Sequence, residues 1–407
     1  MMVKKVLFAL AVGVLSVQPA SPQSLLGLQY PFGSPVRGGC GTALSLGGTG
    51  TGIGNDYFGL TFNPANLGIS GRTTFAATVA GDLLELQDND RTTRHLDMNL
   101  RLLSLTVPLS KFGALGVSVE PYSSANVRFK IDRPLNFDRA LADTAELGVI
   151  EHGGAVSWQV GWGYTIKKTV RVGIAYRYLN FNRSFAEITG IHGSLNDRKV
   201  DSTRTTFTTS GIRGGLQVPL KKATFGISGD YFFGNKARVV HVVRGLRDTT
   251  DLSGTAKYHL QPPPSLTAGV SYLFDSRWLA AVDGGATLWD RYHSGIEVAA
   301  PLDRAYFVSG GVQFIPAPNL LTPKLYEITQ YRIGIRYSQL PSADATELSG
   351  TVAVGLPMLS NGGMFDIIFE GARRWDGRFE HYRENIFSFK LGINGARKWY
   401  QSTDESY

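Results

Sequence analysis

Twelve polar residues stand at alternate positions within otherwise apolar runs, and these are the groups in the chain with chemistry to offer. They are Asp97, Asn99, Arg101, Arg171, Arg177, Arg213, Asp283, Arg332, Arg336, Asp366, Glu370 and Lys390. Tyr331, Ile333, Ile335 and Tyr337, for example, alternate with Arg332, Gly334, Arg336 and Ser338. A period of two sends successive side chains to opposite faces of a strand. One face is then aliphatic and aromatic, and the other carries glycine, serine and charge. Two chemistries suit the charged face. Arg101, Arg171, Arg177, Arg332, Arg336 and Lys390 could orient an anionic headgroup such as a carboxylate through paired hydrogen bonds. Alternatively they pair with Asp97, Asp283, Asp366, Glu370 and nearby carbonyls in an internal network that closes a pore. The network is the preferred reading.

Catalysis and metal binding have less support. His95 and Asp97 with a serine could be offered as a hydrolase triad, but no Gly-x-Ser-x-Gly elbow is present. The seven histidines show no metal-ligand spacing, and the single cysteine, Cys40, cannot form an internal disulfide. We therefore expect no enzyme activity, no catalytic residue, no metal and no cofactor.

The elements that must hold the charged face are strands. Fourteen candidates run over about 72–80, 96–109, 114–129, 153–166, 170–185, 203–219, 222–235, 255–274, 277–290, 304–315, 328–339, 348–359, 363–375 and 385–399. Most exceed the five or six residues usual in soluble sheets. The pattern predicts an all-β protein: a transmembrane antiparallel barrel with lipid outside and water inside, for which an even strand number is required. Connections after even-numbered candidates are mostly short, such as Ser110 to Gly113 and Lys221-Lys222. Those after odd-numbered ones are long and charged, such as 81–95, 130–152 and 186–202. Short periplasmic turns and long external loops are the barrel asymmetry. Apolarity changes phase within 96–107 and again at Tyr178 and Leu179, which predicts a bulge at each place. Such bulges can open gaps in a barrel wall. Trp158, Trp162, Tyr164, Trp278, Trp289, Tyr306, Trp375, Trp399 and Tyr400 suit interfacial girdles, with Trp278 and Trp289 at opposite ends of one strand.

Lys4 and Lys5 precede an apolar run from Val6 to Val17, and small residues follow. This reads as a cleaved export signal over 1–23. No later stretch of about 18 apolar residues could form a membrane helix. A net charge of +8 points to lipopolysaccharide phosphates or an anionic cargo as partners, not nucleic acid. Many of the 48 glycines fall on the polar phase, where backbone or ligand can approach closely.

Residues 24–71 do not alternate. They carry Gly38-Gly39-Cys40-Gly41, the glycine-rich run Leu46 to Asp56, and Asn63-Pro64-Ala65. No strand leads into the glycines and no Lys-Ser/Thr helix follows, so phosphate binding lacks its context. The order of export signal, glycine-rich stretch, acidic residue and Asn-Pro-Ala before a long barrel resembles the FadL-type outer-membrane transporters of hydrophobic compounds. Glu120-Pro121-Tyr122-Ser123 resembles the third-strand element of divergent relatives, and Glu384-Asn385 before Phe387 to Ile393 resembles their closing strand. The resemblance implies a plug over 24–71, a barrel over 72–400 and a short tail over 401–407. It also implies passive uptake of long-chain-fatty-acid-like molecules through a plugged lumen and a lateral opening at a kinked strand. Asn63, Pro64 and Ala65 would form a rigid turn inside the lumen, with a gating role or simply as a bend. The alternative function is a barrel acting as scaffold or partner subunit of a secretion or envelope assembly, with no small-molecule transport.

Overall fold

The alternating runs do form strands, and the strands close on themselves. The protein is described by a computed structural model that places residues 30–88, 91–134, 144–167, 169–191, 199–245, 252–294, 302–319, 322–341, 345–358, 363–377 and 382–397. The expected export signal, the tail, Trp399 and Tyr400 lie outside the described residues. The wall strands are β1 (Thr73–Asp88), β2 (Arg91–Pro108), β3 (Ala114–Ser124 with Val127–Pro134), β4 (Thr144–Ile166) and β5 (Val170–Ile191). They continue as β6 (Lys199–Pro219), β7 (Ala223–Phe232 with Asn235–Gly245), β8 (Leu252–Gln261 with Ser265–Leu273) and β9 (Trp278–Thr287 with His293–Ser294). The last five are β10 (Ala305–Phe314), β11 (Gln330–Gln339), β12 (Ala345–Met358), β13 (Gly363–Asp376) and β14 (Tyr382–Arg397). Neighbours in sequence pair antiparallel, and β14 pairs with β1 from Tyr382 opposite Asp88 to Arg397 opposite Thr73. The result is a closed fourteen-stranded antiparallel barrel. Among the described residues no helix is long and apolar enough to cross a membrane.

Burial fixes which face is which. Ile335 and Phe369 are each 60% exposed, whereas Arg332 is 1% and Asp366 0% exposed. A soluble protein would be inverted; a lipid-facing wall around a filled lumen is not. Trp158, Trp162, Trp278, Tyr306 and Trp375 are exposed on the outer surface, as a girdle requires. Trp289 is not. A short 3-10 turn over Trp289–Arg291 interrupts β9 and carries the indole into the lumen, 5% exposed, against Tyr30, Phe32 and Tyr292.

The strands run further on the long-loop side than the apolar phase suggested. The expected 81–95 loop is mostly strand, because β1 reaches Asp88 and β2 begins at Arg91. Of the two bulges, the first stands. Thr78 faces Leu102 and Val79 faces Leu100, so Arg101 is the extra residue. The second does not exist: β5 keeps continuous register with β4 and β6 through Leu179. There the backbone phase is unchanged and its environment inverts. Leu179 and Phe181 point inward, and Phe181 meets Phe32 edge-on at 5.3 Å, while Asn180 and Asn182 point out.

One ladder is short. β2 pairs with β3 only from Leu103 opposite Val119 to Pro108 opposite Ala114. Above that level, among the described residues, the two strands do not pair. The lumenal segment fills the inner side of this seam. Ser34 and Pro35 pair with Ser124 and Ser123, the Val36 N–H donates to Tyr122 O, and the Gly39 N–H donates to Arg101 O.

Candidate functional site

The site is the contact between residues 30–70 and the wall that surrounds them. It begins with glycines in register. Gly163, Gly173 and Gly215 are direct neighbours across β4, β5 and β6; Gly226 faces Gly269, and Gly311 faces Gly334. All lie on the inward phase, and the plug's main chain rests on them. A Cβ on Gly173 would lie 2.2 Å from the Pro64 carbonyl carbon, one on Gly226 2.0 Å from Thr51 O, and one on Gly334 2.2 Å from Gly47 N. Only glycine admits so close an approach.

Asn63, Pro64 and Ala65 lock into this floor. Asn63 caps a short 3-10 helix, Pro64–Ile69, by accepting the Ala65 N–H at 3.0 Å. Its Nδ2 lies within donating distance of Thr51 O at 3.1 Å, Leu216 O at 3.0 Å and Ile227 O at 3.2 Å. Pro64 at the first helical position needs no amide partner. Gln217 Nε2 donates to Thr51 O and Asn66 Oδ1 at 3.0 and 3.1 Å. Asp283 accepts the N–H groups of Gly50 and Thr51, both at 2.8 Å. Cys40 is 0% exposed, and burial pushes its thiol up to about 12.

The charges sort into clusters. Arg332 Nη1 meets Asp366 at 2.6 Å with both side chains 0% exposed, and Thr42 and Asn394 donate to the same carboxylate. Arg37, from the plug, bridges Glu347 at 2.9 Å and Glu370 at 2.7 Å; Lys390 pairs with Glu370 and Arg374 with Glu347. Arg101, raised on its bulge, pairs with Asp82, which Asn99 and Ser388 also reach. Arg177 and Arg213 share Asp230 at 2.8 and 2.7 Å and face Glu120, while Arg213 donates to the plug carbonyls of Leu60 and Thr61.

Of the expected acidic partners, Asp366 and Glu370 serve arginine or lysine. Asp283 binds plug amides, and Asp97 accepts the Met98 N–H. Among the described residues, Arg171 reaches Gln217 at 3.4 Å, beside Gly54. Arg336 has no carboxylate partner among the described residues. Its guanidinium lies 3.7 Å from the centre of the Phe307 ring. The acids Asp82, Asp230 and Glu347, the wall's Arg374 and the plug's Arg37 were not singled out from sequence, and Glu120 was noted only as part of a motif, not as a charge partner. Asp230 was findable, since it continues the polar phase of Thr224, Gly226 and Ser228.

A cavity of about 290 Å³ remains on one side of the plug, between Phe32, Tyr122, Phe232, Phe307 and Arg336, and plug residues Gly48, Thr51 and Phe62 line it too. Among the described residues, no group of three His, Cys, Asp or Glu is arranged to hold a metal ion.

Fold and site together define a plugged β-barrel of the outer-membrane type. The chain belongs to the BamG family, whose model matches residues 2–404. The family name differs from the one the sequence resembles, and the FadL-like fold expected from that resemblance stands. A Pseudomonas aeruginosa FadL homologue is similar at a TM-score of 0.68 and 12% identity, covering 89% of this chain and 99% of that one. The Ralstonia pickettii toluene transporter TbuX is similar at 0.60 and 12%, covering 88% and 98%, and the Pseudomonas putida toluene transporter TodX at 0.58 and 11%, covering 90% and 99%. At such identities the likeness is one of fold. No curated protein matches the chain.

Proposed function

We propose that the chain is a sealed outer-membrane barrel that serves as a partner subunit of an envelope assembly, with the lumen used for rigidity and not for passage. In this reading residues 1–23 are an export signal, 24–71 the plug and 72–400 the barrel. The observation that carries it is the fit of plug to wall. Main chain rests on rows of inward glycines, and Arg37 is shared by two wall carboxylates. Withdrawing the plug would leave Glu347 and Glu370 with one wall cation each, Arg374 and Lys390, and would strip Asp283 and Arg213 of their plug partners; each lost hydrogen bond to a charged group costs about 1.5–3 kcal/mol. A gate that opens for each ligand would not be built at that cost.

A second reading has its own support. The similar structures include toluene transporters, and a cavity and a wall seam lie on either side of Gly38 and Arg37. Passive uptake of small hydrophobic or amphipathic molecules would use them. The two separate in cells lacking the protein. Unchanged uptake of radiolabelled fatty acid and toluene, with an altered set of outer-membrane proteins, supports the assembly role. Reduced uptake, restored by the wild-type chain, would sink it.

A further inference from the structure

We propose that the open edge of β2, from Arg94 to Leu100, receives a membrane-embedded β-strand of another outer-membrane protein. The inference rests on the assembly reading and names where the partner docks. The β2–β3 ladder stops at Leu103 opposite Val119. Among the described residues this edge of β2 is free above that level, and it lies at hydrocarbon depth: outward Phe387, Leu83 and Leu96 form one registered row, and the next outward row, Glu85 opposite Arg94, is charged. Inside a bilayer, free backbone N–H and C=O groups are tolerated only where protein or water meets them.

From the lumenal side the plug answers Arg101 O through Gly39. Higher up, the Met98 N–H is met by the carboxylate of the preceding residue, Asp97, at 2.7 Å. An amide turned to its neighbour's side chain faces the seam, not β1. Leu96 and Met98 are 76% and 75% exposed, the highest values among the large apolar residues of the outer wall. They stand out because, among the described residues, no strand pairs with them on the β3 side.

Beside the edge runs an apolar outer groove of about 690 Å³, walled by Phe369, Phe387 and Phe389. Its floor includes Gly350 and Gly371, which face each other and have nothing within 4 Å of a Cβ built outward. The groove gives room for side chains of an adjoining wall. A second copy of this chain cannot be the symmetric partner. Two copies in one membrane relate by a two-fold along its normal, which sets the same residue of β2 at the same height on both edges. A parallel ladder needs its two edges one residue out of step. The occupant is therefore a strand of a different protein, added by backbone pairing.

The test is a benzophenone side chain placed singly at Leu96, Met98, Ile333 and Ile335, irradiated in intact cells of the native host, with cross-linked peptides sequenced. A protein adduct of defined mass at Leu96 and Met98, absent at Ile333 and Ile335, and mapping to a membrane strand of the partner, is the expected result. Adducts at Ile333 or Ile335 alone would overturn the seam assignment and leave the assembly reading standing. Adducts at Leu96 and Met98 to lipid, to a second copy, or to residues 24–29 of the same chain would overturn the seam assignment. Lipid adducts at all four positions would remove the support of both.

Discussion

Arg332 and Arg336 sit four residues apart on the same face of β11, yet the structure gives them different work. Arg332 is sealed against Asp366, while Arg336 lies on the Phe307 ring with no carboxylate partner among the described residues. Arg332→Ala should therefore cost about 3–5 kcal/mol by leaving Asp366 buried and unpaired. Arg336→Ala should cost only about 0.5–2 kcal/mol, the worth of a cation–π contact. Urea unfolding from lipid vesicles measures both, and equal losses would contradict the pairing. Cys40 offers a second probe. It is fully buried, with a thiol pushed up to about 12, so a maleimide at neutral pH should not label it until the barrel unfolds. Rapid labelling of the folded protein would mean that the plug moves.

At the scale of elements, the registered glycines make a sharper test. Gly173→Val would drive a side chain into Pro64, whereas Gly371→Val points into open space. Overpacking costs about 1–3 kcal/mol where the neighbours can yield, and at Gly173 the neighbour is plug main chain. Gly173→Val should lower the unfolding midpoint and open Cys40 to labelling; Gly371→Val should do neither. The strands themselves were legible because a lipid-facing wall repeats at a period of two. What misled was the end of the membrane. Beyond it water lies outside and plug or packed apolar groups lie inside, so the apolar phase changes face with no change in backbone. Leu84 and Leu86 in β1, and Leu179 and Phe181 in β5, all point inward. The first pair was read as loop and the second as a bulge. Arg101 was a true bulge because two consecutive residues, Arg101 and Leu102, both turn inward. Arg101, Arg171, Arg177, Arg213, Arg332 and Arg336 were legible from phase alone, whereas Arg374 was not singled out. Glu347 and Asp82 fell just outside the candidate strands, and Arg37 lies in a segment without any period.

For the whole molecule, the closed wall, the seated plug and the unpaired β2 edge point the same way. In the assembly reading, a barrel whose lumen is occupied by its own chain offers its rims and its outer surface to the envelope. The short β2–β3 ladder is the place where that surface is incomplete. The most direct test is the native mass of the protein extracted gently from its own membrane. The assembly account predicts a complex in fixed stoichiometry with at least one other envelope protein, heavier than the 44.3 kDa chain. A lone barrel that carries a small hydrophobic molecule in its lumen would contradict it.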